Sequence, residues 1–377
     1  MKQIPSEFLT TPIVYAVRDT YQIFVPVTCE TVMWVQVGEK CFYDDCNGIF
    51  RSACSTHRMT VPMSLLDKEK KYTICYRIVH ERKPYWSNTS DVMTYESCFR
   101  PVEKEPVHIY HLADAHAYVE EPIAAAQYFG DQLDVLILNG DIPDHSGTVE
   151  DFKNIHLIAS AVTGGEIPVV FARGNHDTRG AAAELLPDHT PTDCGRSYFT
   201  FRLGHVWGIV MDTAEDKRDE CEEYGGVVCS HDFRLRETEF LKEVIENCKK
   251  EYEAEGVKNR IVVCHLPFTM DFPAPFDIED EIYREWCRLL REHVKPQVMF
   301  CGHRHLLYVS EVGSERDNKG QPCPVVVGSR SVVISMRRRL TEKYPFWGGA
   351  YTLSPNSCHV IFNSNRGDTE QEQTLEF

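Results

Sequence analysis

The chain has no long apolar run. None of its hydrophobic stretches approaches the roughly 20 residues that span a bilayer as a helix, and the segment Met1 to Glu7 lacks the apolar core of a secretory signal. The expected location is cytoplasmic. Positive charge is also scarce: 40 lysines and arginines against 57 aspartates and glutamates leave a formal net charge of −17. That field repels polyanions, so long nucleic acid is not an expected partner, while a small phosphate ester can still bind where metal ions dominate the local charge. No repeat at solenoid spacing and no low-complexity tract is visible. The 15 cysteines include no repeated close pair and are odd in number, so at least one is unpaired, and most are expected to be reduced and buried.

What is there suits a folded soluble protein, with 42% hydrophobic and 26% charged residues over 377 positions, a comfortable length for two domains. From Ile13 to about Phe99 the text is strand-like. Tyr72, Ile74, Tyr76 and Ile78 alternate with Thr73, Cys75, Arg77 and Val79, and further strands are expected at Gln22 to Val27, Thr31 to Val37 and Met59 to Met63. These predict a small antiparallel sandwich over residues 1–104. Pro101 to Pro106, with two prolines and three charges, reads as a linker, and residues 105–377 as a second, α/β domain. The clearest helices are Arg234 to Lys250 and Glu279 to Val294, the latter with Ile282, Trp286, Leu289 and Leu290 on one face. Apolar runs at Pro324 to Val327 and Ser331 to Ser335 point to a further sheet layer.

Five short β-branched runs in the second block stop at residues that bind divalent metals. Ile109 to Ala113 leads to Asp114 and His116, Val135 to Asn139 to Gly140-Asp141, Val169 to Arg173 to Gly174-Asn175-His176-Asp177, Ile261 to Cys264 to His265, and Val298 to Cys301 to Gly302-His303-Arg304-His305. Each run has the composition of a buried parallel strand, and in α/β sheets ligands bind beyond the carboxyl ends of strands. A lone Asp-x-His or Gly-Asp is an ordinary turn. Five such ends, with mixed carboxylate, amide and imidazole donors, read as a two-metal hydrolytic site.

The ordered set Asp-x-His, Gly-Asp, Gly-Asn-His-Asp, His and Gly-His-x-His resembles the calcineurin-like metallophosphoesterase superfamily over roughly residues 106–310. The resemblance implies a metallophosphoesterase β-sandwich flanked by helices, four layers in the order α/β/β/α. It implies two divalent metals, with manganese, iron or zinc favoured by the donors. Asp114, His116, Asp141 and His305 would hold one, Asp141, Asn175, His265 and His303 the other, with Asp141 bridging. The implied activity is hydrolysis of a small phosphate monoester or diester through a metal-bridging hydroxide, as a phosphatase or phosphodiesterase. His176, without a seat among the ligands, is expected to bind the phosphate or protonate the leaving oxygen, with Asp177 orienting it. Arg179 is a candidate clamp on a phosphate oxygen.

The N-terminal sandwich is reminiscent of purple acid phosphatases, but Asp144 stands where those enzymes carry an iron-binding tyrosine, and they lack the histidine that His116 supplies. The comparison therefore does not imply a purple iron centre. Asp144 and Asp212 are candidate supports for a ligand histidine or plain solvated carboxylates, and His111 and His145 read as hydrogen-bonded bystanders. Phe268, Tyr224 with its two following glycines, and Trp347 with its two are candidate pocket walls or plain core. The competing reading from another class is a noncatalytic, metal-stabilised scaffold whose β-sandwich binds a partner.

Overall fold

The strict alternation around Ile74 forms one strand, Lys71–Lys83, of a five-stranded antiparallel sheet that also holds Thr31–Val37, Lys40–Tyr43, Trp86–Thr89 and Met93–Cys98. The computed structural model describes residues 3–331 and 344–377. Met33, Val35, Val37 and Ile74 leave this sheet on its inner face and meet Ile23, Val25, Met59 and Val61 from Thr20–Pro26 and Thr56–Pro62. Two sheets thus enclose a sandwich core, as period-two patterning requires.

One of those sheets does not stop at residue 104. Ile13–Val17 pairs in parallel with Pro168–Ala172, Val14 opposite Pro168 and Tyr15 opposite Val169, so the first strands extend the sheet of the second block. The cause is local: all five residues of Ile13–Val17 are buried, and such a strand needs cover on both faces and a partner on each side. The continuous sheet has nine strands, in the spatial order Thr369–Glu376, Ser357–Ser364, Trp347–Ser354, Val107–Leu112, Val135–Asn139, Pro168–Ala172, Ile13–Val17, Thr20–Pro26, Thr56–Pro62.

A six-stranded sheet packs on it, ordered Phe199–Leu203, Val206–Met211, Asn259–Cys264, Val298–Cys301, Val325–Ser329, Leu306–Ser310. Alternate residues face opposite layers. Ile109, Ile137, Val170, Ile261, Val263 and Phe300 lie in the core between the sheets. Tyr110, Leu136, Leu138 and Val169 pack outward under the helix Lys153–Thr163, and Val262, Cys264 and Met299 under Ser230–Glu246 and Asp280–Leu289. The layers run α/β/β/α. No helix among the described residues is long and apolar enough to cross a membrane.

Both expected helices form with shifted ends. Asp280–Leu289 continues as one wider π-type turn, Leu290–Val294, and stops at Lys295 in the left-handed conformation just before Pro296. The tail divides between the sheets: the Pro324 run enters the six-stranded sheet, and three strands from Trp347 onward extend the nine-stranded one. The apolar run from Ser331 to Ser335 lies, after its first residue, outside the described residues.

Candidate metal centre

Three of the ligand-bearing strands, Val107–Leu112, Val135–Asn139 and Pro168–Ala172, run parallel in one sheet, and two, Asn259–Cys264 and Val298–Cys301, run parallel in the other. Their carboxyl ends meet where the sheets face each other. Asn139 fastens the junction: its buried amide nitrogen lies 3.3 Å from the Cys264 carbonyl and 3.0 Å from that of Phe300, so one side chain of the first sheet holds both ligand strands of the second. Glycines permit the close approach. A Cβ on Gly140, whose φ is +79°, would lie 2.5 Å from the Gly174 nitrogen and 2.7 Å from His265 Nδ1.

The loops beyond the strands carry strain where the donors sit. Asp114, His116, Asp141, His303 and His305 all adopt positive φ, between 45° and 67°, a region non-glycine residues rarely enter and which clusters at functional sites. Hydrogen bonds from outside aim the rings. His265 Nδ1 lies 2.6 Å from the Asn139 carbonyl, which can only accept, so in the neutral ring the Nε2 lone pair points inward. Asp144 Oδ1, 3.1 Å from His116 Nδ1, does the same for His116.

The inward donors form two groups. One is Asp114, His116 and His305; the other is Asp141, His265 and His303, each set with its ligand atoms within 4.8 Å of one another. His265 Nε2 links them, 3.1 Å from Asp141 Oδ2 and 3.8 Å from Asp114 Oδ1. Asn175 joins the second group through Oδ1, 3.0 Å from His303 Nδ1. Turning its amide over would let the nitrogen donate to His303 and Asp141 and the oxygen accept from Arg179. As it stands, the amide nitrogen lies 3.4 Å from Asp216 Oδ2 and the oxygen faces only lone pairs. His116 Nε2 and His305 Nε2 lie 3.1 Å apart, and the mixed carboxylate, amide and imidazole donor set fits divalent cations.

Electrostatics gives the same answer. Burial opposes charge on all these groups, yet the histidines hold Asp141 well below the usual carboxylate range, and Asp141 with Asp114 drives His265 up to about 10. Burial, reinforced by His265, holds His303 down to about 3. Without cations, the proton kept on His265 supplies the positive charge beside the two carboxylates.

His176 stands beside these groups, its ring centroid 4.7 Å from that of His116. Its orientation differs from the sequence expectation. Asp177 does not touch the ring; its buried Oδ2 accepts from the backbone nitrogens of Gly174 (2.7 Å) and Asp141 (3.1 Å), tying two ligand loops together. Burial, then the neighbouring Asp141, pushes Asp177 up to about 7. The partner of His176 is the Asp144 carbonyl, 2.8 Å from Nδ1. Asp144 therefore positions two histidines, one through its side chain and one through its backbone, a role its place three residues after Asp141 only hinted at.

Arg179 is also corrected. Its Nε and Nη2 fork onto Glu215 at 3.1 and 2.9 Å, and Nη2 reaches Asp216 at 2.8 Å, so the bidentate face expected for phosphate is occupied by carboxylates. Asp212 binds Arg173 and Ser197 rather than a ligand histidine. His111 is buried between Tyr351 and Asn139, and His145 is exposed, as bystanders should be. Phe268 packs on Tyr283 and Trp286 in the core, and Gly348 and Gly349 close on tyrosine rings. Tyr224 lines a cavity of about 590 Å³ that opens along Thr178, Arg179 and Gly180.

Among known proteins, residues 107–307 match the model of the calcineurin-like phosphoesterase family. No curated protein sequence matches the chain. In structure it resembles the purple acid phosphatase PPD1 from yellow lupin (Lupinus luteus) seeds at 12% identity and a TM-score of 0.61, over 97% of this chain and 74% of that one. It resembles PhoD at 12% identity and a TM-score of 0.59, over 100% of this chain and 94% of that one. At such identity the likeness speaks for the fold, including its N-terminal sandwich. With more than half its length matching that family's model and its ordered motifs brought together between two sheets, the chain belongs to the calcineurin-like phosphoesterases and is a phosphoesterase hydrolase.

Proposed function

We propose that the protein hydrolyses a small phosphate monoester or diester at a pair of divalent cations. Asp114, His116, Asp141 and His305 would hold one cation and Asp141, Asn175, His265 and His303 the other, with Asp141 shared. The observation that carries this reading is the gathering of ligand atoms into two adjoining groups, Asp114 with His116 and His305 and Asp141 with His265 and His303, each within 4.8 Å, at strand ends from both sheets. When bound, the cations supply Lewis acidity, activating water and neutralising phosphoryl oxygens.

The chain's own residues do the rest. Asp144 fixes the tautomer of His116. Asp216, buried behind Asn175, holds the amide oxygen toward the cations. His176, with Nδ1–H donated to the Asp144 carbonyl and Nε2 3.5 Å from Arg179 Nη1, can as an imidazolium present Nε2–H to a phosphoryl oxygen or pass that proton to the leaving oxygen. Arg179 steadies the Glu215–Asp216 loop.

The test is to strip the metals, reconstitute with manganese, and compare hydrolysis of an aryl phosphate monoester with that of the matching diester. Turnover of at least one is expected, and the ratio assigns the ester class. Full metal occupancy with turnover of neither would favour the scaffold reading.

A further inference from the structure

A second group of metal-type donors lies in the N-terminal sandwich and shares no residue with the catalytic centre. Asp44, Cys54 and His57 place a carboxylate oxygen, a thiol sulfur and an imidazole nitrogen within 4.8 Å of one another. They come from both sheets of the sandwich. Asp44 follows Lys40–Tyr43 in the five-stranded sheet, and His57 lies in Thr56–Pro62 of the nine-stranded one. His57 and Asp44 are buried, and Cys54 is half-buried.

His57 is held at both ring nitrogens. Nδ1 lies 2.6 Å from Asp44 Oδ2, and Nε2 lies 2.9 Å from Thr31 Oγ1. With Nε2–H donated to the threonine, Nδ1 turns its lone pair toward Asp44 Oδ2, the arrangement in which the two can share a cation. A proton satisfies that pair alone. The Cys54 sulfur, 3.8 Å from Nδ1, is near enough to add a third ligand atom. Arg51 Nη1, 3.4 Å from Asp44 Oδ1, occupies the other carboxylate oxygen and leaves Oδ2 facing inward.

We propose that Asp44, Cys54 and His57 bind a third divalent cation, zinc by the chemistry of the donors, which clips the 44–57 loop across the two sheets of the sandwich. Thiolate with imidazole and carboxylate is a zinc set, not a magnesium or calcium one. Asp44 also borders a surface groove lined by Asp45, Cys46 and Arg51. The loop has reason for such a clip: its only regular pairing is Asp45–Cys46 with Ile49–Phe50, and three of those four residues are exposed. Closing a loop of this kind with a metal turns binding energy into folding energy.

The signature is separable from the catalytic metals, because no proposed ligand there is a thiolate. The full-length protein, stripped and reloaded with cobalt, is expected to show a near-ultraviolet thiolate-to-cobalt absorption band. Elemental analysis after reloading with zinc is expected to find about three equivalents per chain, two of them at the family's binuclear centre. Cys54→Ser is expected to lose the band and about one equivalent while aryl phosphate turnover stays within about twofold. Asp44→Asn should lose the same equivalent with Cys54 present, and serves if the serine variant does not fold. A band that survives Cys54→Ser, or two equivalents and no band in the parent, would overturn the site and leave a proton between His57 and Asp44.

Discussion

At the scale of single residues, function rests on side chains that aim others. Asp216→Leu, which frees the Asn175 amide to turn over, is expected to weaken one of the two cations about 10- to 100-fold and leave the other in place, read by metal titration. Equal weakening of both would show that Asp216 does not act through Asn175. His176→Ala should lower turnover about 10²- to 10⁴-fold with both metals retained; unchanged turnover in metal-replete protein would remove its role. Arg179→Ala separates a loop anchor from a phosphate clamp. It leaves the buried Glu215 and Asp216 without their guanidinium and is expected to cost about 3 kcal/mol in a denaturant titration, more than it changes substrate affinity. The identity of the donors was legible in the sequence because each sits at a fixed offset from an apolar run. The aim of Asp177, Asp144 and Arg179 was not, because it depends on which backbone nitrogen or carboxylate folding brings within 3 Å, as with Glu215, 36 positions away from Arg179.

At the scale of elements, strand composition carried most of the information. The alternation at Ile74 and the apolar runs at Val135 and Ile261 become strands because a period of two serves the faces of a sheet, and a run buried on both faces serves its middle. Asn139 escaped notice, since an asparagine ending an apolar run looks like a turn. Asn139→Leu is expected to remove both hydrogen bonds that cross between the sheets and cost about 2 kcal/mol. Helix Lys153–Thr163 carries a different liability. His156 is fully buried with neither ring nitrogen partnered, and packs near His189, beside Asp188 and Arg51. Burial holds His156 down to about 3 and His189 to about 4, against 6.5 when unfolded. Between those values and 6.5 the unfolded chain binds protons that the folded chain refuses, so stability complete above 6.5 is lost as pH falls, by about 1.4 kcal/mol per unit for each ring. The stability gap between parent and His156→Leu should shift in favour of the variant from pH 7 to pH 5; a gap that does not move contradicts this.

At the scale of the molecule, the two blocks are distinct in sequence and continuous in hydrogen bonding. The change of rhythm at Pro101 to Pro106 belongs to local composition, whereas register across Ile13–Val17 and Pro168–Ala172 joins strands over 150 positions apart, and no local pattern announces such a pairing. Catalysis and sandwich are therefore expected to unfold together. A chain beginning at residue 105 would expose the edge of Pro168–Ala172 and should aggregate rather than fold, judged by its soluble fraction and monomer content. Net charge tells the same story about substrate: the proposed cations make a positive island in a chain of −17, suited to a small anion and hostile to a long one.

The central claim is that five strand ends from two sheets gather one pair of cations. Its most direct test is an anomalous difference map from crystals of the manganese-reconstituted protein. Two peaks about 3.5–4 Å apart are predicted, with Asp141 between them and Asn175 and His116 on opposite sides. A single peak, or peaks away from Asp141, would contradict it.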